Sequence, residues 1–384
     1  MPGWKTWLVS NDNARTEPCH SSSTEYSRRV LSDAKNQSAA DPATVFEENL
    51  GQLMALVQRR LTLELQFHQR YDLERLESDL TELVTEFGQL LRVIYRYDLG
   101  EALAHEAAWF ASVLAARGPG VDAWRLLLDS WVMAIQGVIK PPECNQLAAP
   151  LQELRQRTDE FFVGAQTGDD TPAARPVQEL VDRLVVGDRN GAQQLLRVQR
   201  TAGVPATDLI LRLILPAMAE VGRRWERNQL AVFEEHLASE TILRLLAGLT
   251  ADETVPVRAG RTAMVSCVPG DQHQILPAAL TAYLELRGWD ARSLGRSLPS
   301  DQIARAAAEI KPVAVFLSMT MLARLPEALA VVEQVRSKLP GCIVIAGGRG
   351  TVWGRRLLET VGARVTQDFC EAHRLASGEE LKDA

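Results

Sequence analysis

Cysteine is scarce in this chain of 384 residues. Its five cysteines, Cys19, Cys144, Cys267, Cys342 and Cys370, are far apart and odd in number, and none forms a Cys-x-x-Cys pair. That pattern excludes a secretory disulfide framework and fits a reducing, cytoplasmic setting. Long apolar runs are also missing. The first ten residues hold Trp4, Trp7 and Leu8 but no apolar stretch of signal-peptide length, and no later run is long enough to span a bilayer. A soluble protein without a membrane partner is therefore expected. Positive charge is in deficit, with 42 Lys and Arg against 49 Asp and Glu, a net charge of −7. No Lys/Arg-dense block stands out, so direct DNA binding is disfavoured.

What is present divides by composition. A chain of this length exceeds one ordinary core and calls for two or three compact units. Residues 1–44 are rich in Ser, Asn, Asp, Ala and Thr beyond the first ten positions, and read as a flexible leader. Residues 45–163 change to a helical period, for example Leu53, Leu56, Val57 and Leu61, then Leu80, Leu83, Val84 and Phe87. Breaks at Gly100, Gly118-Pro119-Gly120 and Pro141-Pro142 cut this stretch into four expected helices, packed by Trp109, Phe110, Trp124 and Trp131. Residues 164–176 mix Gly, Asp, Thr and Pro without periodicity and read as a linker.

Residues 177–253 are again helical and long enough for four short helices, with Leu180, Leu184, Leu209, Leu213, Met218, Ile242 and Leu245 at helical spacing. From 260 to 384 the period alternates. Short apolar strands are expected at Thr262–Val268, Ala291–Leu294, Val313–Leu317 and Cys342–Ala346, with a last one near Arg364 and helices between them. Five strands alternating with helices imply a doubly wound parallel sheet covered on both faces, with ligands at the carboxyl ends of its strands. The fold class is thus multidomain, α followed by α/β.

The polar residues singled out fall at those strand ends. After the first strand comes Asp271-Gln272-His273. An Asp two residues before a His can take one ring N–H and leave the other nitrogen for a metal, although a solvated His beside a helix-capping Asp has the same spelling. Ser318-Met319-Thr320 ends the third strand with two hydroxyls. Gly347-Gly348 ends the fourth, where missing side chains let a ligand lie against the backbone, as they also would in a plain turn.

Together these residues resemble the cobalamin-binding domains of corrinoid methyl carriers, cobalamin-dependent methionine synthase and cobalamin-dependent light-responsive regulators. The family pattern D-x-H-x-x-G, S-x-L and G-G stands here as Asp271-x-His273-x-x-Leu276, Ser318-x-Thr320 and Gly347-Gly348. The resemblance implies a flavodoxin-like domain beneath a four-helix cap, with His273 as the lower cobalt ligand, Asp271 behind it, and Ser318, Thr320 and the glycines along the slot for the nucleotide tail. Leu276 departs from the pattern and narrows the mouth of that slot.

The cap adds its own match. Trp225, nine residues before Glu235-His236, resembles the W-x9-E-H signature of the light-responsive branch. There the Trp covers the upper corrin face and the Glu-His pair borders the adenosyl group, whereas an ordinary amphipathic helix would have Trp225 in its core and Glu235-His236 in solvent. The resemblance favours adenosylcobalamin in a light sensor that signals through cap movement to a self-assembly or a regulatory protein partner. Methylcobalamin in a methyl carrier serving separate methyltransferases is the alternative. Glu226 stands where the light-responsive repressors carry a second His ligand, which leaves His236, His68 and His105 as candidates. Residues 45–157 hold no basic recognition helix. His105 and Trp109 are spaced to flank a second chromophore or, as a bland alternative, to pack against each other.

Overall fold

The structure is a computed structural model and describes residues 41–68, 73–116, 120–160, 174–253 and 260–378, with 255, 257 and 258. The chain forms two compact units. The N-terminal unit consists of helices α1 (Pro42–His68), α2 (Leu73–Tyr97), α3 (Gly100–Ala116), α4 (Gly120–Val138) and α5 (Glu143–Gln156). Helix α1 thus starts inside the stretch read as a leader. Residues 1–40 lie outside the described residues, as do 161–173, most of the expected linker.

Three boundaries fall where Gly and Pro announced them. One described helix ends at His68 and the next begins at Leu73, positions that no Gly or Pro marks, so the described residues form five helices here rather than four. Trp124, Trp131, Phe87 and Phe110 are fully buried. Phe87 meets the rings of Phe110, Trp124 and Trp131 at centroid distances of 5.2, 5.7 and 6.3 Å. These aromatics fill one another's space.

The C-terminal unit opens with helices α6 (Arg175–Val185), α7 (Arg189–Thr201), α8 (Ala206–Glu226) and α9 (Val232–Ala251). Asp188 starts α7 by accepting the Gly191 N–H at 2.9 Å. Within α8 the backbone widens to a π-turn over Ile210–Ile214, next to Pro216, which has no N–H to give the ladder.

The α/β part follows as β1 (Thr262–Cys267), α10 (Ile275–Glu285), β2 (Asp290–Gly295), α11 (Ser300–Ile310), β3 (Ala314–Ser318), α12 (Leu325–Lys338), β4 (Ile343–Gly347), α13 (Thr351–Thr360), β5 (Arg364–Val365) and α14 (Phe369–Ser377). All strand pairs are parallel, in the order β2-β1-β3-β4-β5. The expected five strands are present, each within a residue or two of its expected bounds. Strand order reverses between β1 and β3, which opens a crevice at their carboxyl ends.

One apolar cluster runs from Leu180 in α6 through Met218 and Trp225 in α8 and Ile242 in α9 into Ile275, Ala279 and Tyr283 of α10. The four-helix layer and the first sheet helix therefore share a core. A second cluster, with Ala263, Val265, Trp289, Phe316 and Ile345, backs the sheet. No described helix is long and apolar enough to cross a membrane.

Candidate functional site

Cys267 and Ser318, the last residues of β1 and β3, lie side by side in the sheet. The loop that leaves β1 turns through Gly270 at φ +79°, a backbone state that glycine adopts without strain. Asp271 and His273 follow, 1% and 5% exposed. The solvated-histidine alternative is thereby excluded: this loop folds inward.

Asp271 is the hub of the loop. Its Oδ1 accepts from the His273 backbone N–H at 3.0 Å and pairs with His273 Nδ1 at 2.5 Å. Its Oδ2 accepts the Thr320 N–H at 2.6 Å and the Met321 N–H at 3.4 Å, across the gap between β1 and β3. Burial works to raise the Asp271 carboxyl, but the charge and hydrogen bonds of His273 and the Thr320 N–H outweigh it and hold the group below its ordinary value. An ionised Asp271 accepts a hydrogen bond from Nδ1–H and thereby fixes the tautomer of the neutral ring. His273 Nε2 then carries a lone pair, buried and with no hydrogen-bond partner among the described residues. Beneath it, burial and then the nearby Asp271 charge push the Cys267 thiol up to about 12, so it stays protonated and faces the His273 carbonyl at 3.8 Å.

Thr320 is fully buried, and its Oγ1 likewise has no hydrogen-bond partner among the described residues. A buried polar atom without a partner is costly, so His273 Nε2 and Thr320 Oγ1 mark places that a ligand can satisfy. Ser318 is half-buried at the end of β3.

The glycine pair is closely approached by backbone on one side. A Cβ at Gly347 would stand 2.7 Å from the Thr366 carbonyl oxygen, and one at Gly348, where φ is +101°, would stand 2.6 Å from that of Met319. The backbone that presses against these glycines is the protein's own. Gln367, which no motif announced, bonds both the N–H and the carbonyl of Gly348.

The cap residues divide. Trp225 is fully buried within the cluster that joins α8, α9 and α10. Glu235 is 1% exposed while His236 is 54% exposed, so the pair is neither wholly solvated nor wholly buried. Glu235 pairs with His236 Nδ1 and accepts from Ser239 Oγ at 3.0 Å. Burial pushes its carboxyl up to about 6, against the hydrogen bond and charge of His236, the Ser239 hydroxyl and the charge of His273. That last effect places the Glu235 carboxyl within electrostatic reach of the loop imidazole.

Leu276, in the first turn of α10, packs against the shared apolar cluster. His105 is exposed in the N-terminal unit, and Trp109 is half-buried edge-on to Phe110 at 4.9 Å, so they form no buried pair. The side chain of His68 lies outside the described residues.

Residues 177–250 match the model of a B12 binding domain, and residues 261–368 match a second model of that description. These two segments belong to the B12-binding family. The chain is similar to the HTH-type transcriptional repressor CarH of Myxococcus xanthus, 28% identical over 178 residues, which are 46% of this chain and 58% of CarH. It is also similar to the HTH-type transcriptional repressor CarA of the same organism, at 31% over 156 residues, 40% of this chain and 51% of CarA. Trimethylamine corrinoid protein 1 of Methanosarcina mazei is 26% identical over 175 residues, 44% of this chain and 74% of that protein. The chain spans only 58% and 51% of the two repressors. Among solved structures, the monomethylamine corrinoid protein of Methanosarcina barkeri is similar at 21% identity and a TM-score of 0.47, covering 53% of this chain and 98% of that one.

Proposed function

We propose that this chain is a cobalamin-dependent light sensor, with adenosylcobalamin as its chromophore and a regulatory protein or a second copy of itself as the reader of its state. In this reading residues 177–253 form the cap, residues 260–384 form the cofactor domain, and the N-terminal helices carry the signal. The observation that carries it is the buried, tautomer-fixed imidazole of His273, whose Nε2 has its lone pair available at the crevice between β1 and β3. One imidazole suits a metal that arrives with its equatorial positions already filled by a macrocycle. Thr320 Oγ1 is a second buried polar atom able to accept a ligand contact, and Ser318, Gly347 and Gly348 lie beside it at the strand ends.

When bound, adenosylcobalamin supplies a cobalt–carbon bond that visible light cleaves. The chain's own groups do the rest. Asp271 holds the imidazole in the ligating tautomer, Trp225 excludes water from the cap side, and Glu235 with His236 offers hydrogen bonds to a ribose. Two features favour a sensor over a methyl carrier. Trp225 and Glu235-His236 keep the spacing of the light-responsive branch, and the similar proteins include two repressors. Similarity to a trimethylamine corrinoid protein keeps the carrier as the second reading.

The test is reconstitution with adenosylcobalamin in darkness, followed by illumination with absorption and oligomer size recorded together. Both are expected to change, and His273→Ala is expected to alter the cobalt spectrum of the bound cofactor. A light-indifferent complex, or binding of methylcobalamin alone, would transfer the assignment to the carrier. A protein that takes up no cobalamin would refute both.

A further inference from the structure

Gln367 follows the two-residue strand β5 and belongs to none of the motifs described above. Its side-chain amide grips the backbone of Gly348 as a neighbouring strand would: Oε1 accepts the Gly348 N–H at 3.0 Å and Nε2 donates to the Gly348 carbonyl at 3.1 Å. The same Nε2 donates to Thr351 Oγ1 at 2.7 Å, and that buried hydroxyl donates onward to the Gly348 carbonyl at 2.8 Å.

The other side of this turn presses on the segment after β3. The Met319 N–H donates to the Gly347 carbonyl at 2.8 Å, and the Gly350 N–H donates to the Met319 carbonyl at 3.0 Å. Gly348 sits so close to that carbonyl that a Cβ there would be 2.6 Å from its oxygen. The next residue, Thr320, gives its N–H to Asp271 Oδ2 at 2.6 Å, and Asp271 Oδ1 holds His273 Nδ1. A continuous series of contacts therefore runs from Gln367 through Gly348, Met319, Thr320 and Asp271 to the imidazole.

We infer that Gln367 is a positioning residue for His273, acting through the glycine turn and the Asp271 carboxylate. The inference rests on the reading of His273 as the cobalt ligand. Its physical basis is the freedom of Gly348. A glycine at positive φ is held in place only by its hydrogen bonds and neighbours, and Gln367 supplies partners for both of its polar groups. Without that amide the turn loosens, the Met319 carbonyl shifts, and the Thr320 N–H no longer fixes the angle at which Asp271 meets the imidazole. A glutamate at 367 can still accept but cannot donate, so it keeps part of the grip.

The test compares the wild-type chain of 384 residues with Gln367→Ala, Gln367→Glu and the control Leu358→Ala, which opens a cavity at a buried position of α13 whose side chain makes none of these hydrogen bonds. Nitrogen-15 NMR of the imidazoles, with the His273 signals assigned by their loss in His273→Ala, reports the tautomer before any cofactor is added. Titration with aquocobalamin then reports affinity and the cobalt spectrum. Gln367→Ala is expected to move His273 from one tautomer into exchange between two and to weaken aquocobalamin binding about tenfold. Gln367→Glu should lie between it and wild type, and Leu358→Ala should lower the melting temperature without moving the imidazole signals. Unchanged His273 signals in Gln367→Ala, or the same change in Leu358→Ala, would overturn the inference. Should the signals move while even the wild type binds no cobalamin, the positioning role stands and the proposed function fails.

Discussion

His273 shows why a motif must be read with its surroundings. Asp-x-His has the spelling of an ordinary loop, and local sequence could not choose between a solvated ring and a buried one. Burial of Asp271 to 1% and His273 to 5% decides it, because a carboxylate so enclosed needs the ring N–H and backbone N–H of His273 and the Thr320 amide to stay charged. Thr320 was singled out for its hydroxyl, but its backbone N–H also holds Asp271, and backbone groups leave no mark in a sequence. Glu235 is the other residue whose behaviour depends on environment. Its carboxyl is pushed up from an ordinary 4.5 to about 6. A carboxyl raised in the folded state contributes stability fully below the unfolded value and loses it as pH rises through the folded one. The protein should therefore lose about 2 kcal/mol between pH 4.5 and 6 from this group alone. Glu235→Gln is expected to flatten that part of the stability curve, as measured by denaturant midpoints across the window. A slope equal to the wild type's would show that Glu235 is not the group responsible.

At the level of elements, periodicity located the helices and the switch to strands, and Gly and Pro located most breaks. It did not reveal that the four-helix layer shares its core with α10, since that depends on which face of each helix meets which neighbour. Trp225 sits in this shared cluster with no exposed surface. Trp225→Ala should cost the C-terminal unit about 3–5 kcal/mol, seen in thermal unfolding of the protein before cofactor is added. A loss below about 1 kcal/mol would show that the indole is not part of the packed core. Leu276 joins the same cluster, so the residue that departs from the family pattern serves packing between cap and sheet helix. The glycine pair was legible as a close approach, but the partner in that approach, the backbone of Met319 and Thr366, was not.

For the molecule as a whole, both B12-binding matches fall within residues 177–368, and the C-terminal unit contains both apolar clusters that surround the candidate site. A fragment of residues 174–384 is accordingly expected to fold and to bind aquocobalamin within about threefold of the full chain. Light-dependent assembly, if the N-terminal helices carry the signal, should be lost in it. Analytical ultracentrifugation in darkness and light separates the two, and assembly retained by the fragment would remove the N-terminal helices from the signalling role. The sequence alone determined the α then α/β order, the five strands and the residues at their ends, because these follow from short-range periodicity and from residues whose chemistry is local. Only tertiary structure decided that His273 is buried with one free nitrogen, that Glu235 feels its charge, and that Gln367 closes the turn behind it. Those facts arise where segments far apart in the chain meet, and the strength of each interaction depends on the water excluded when they do.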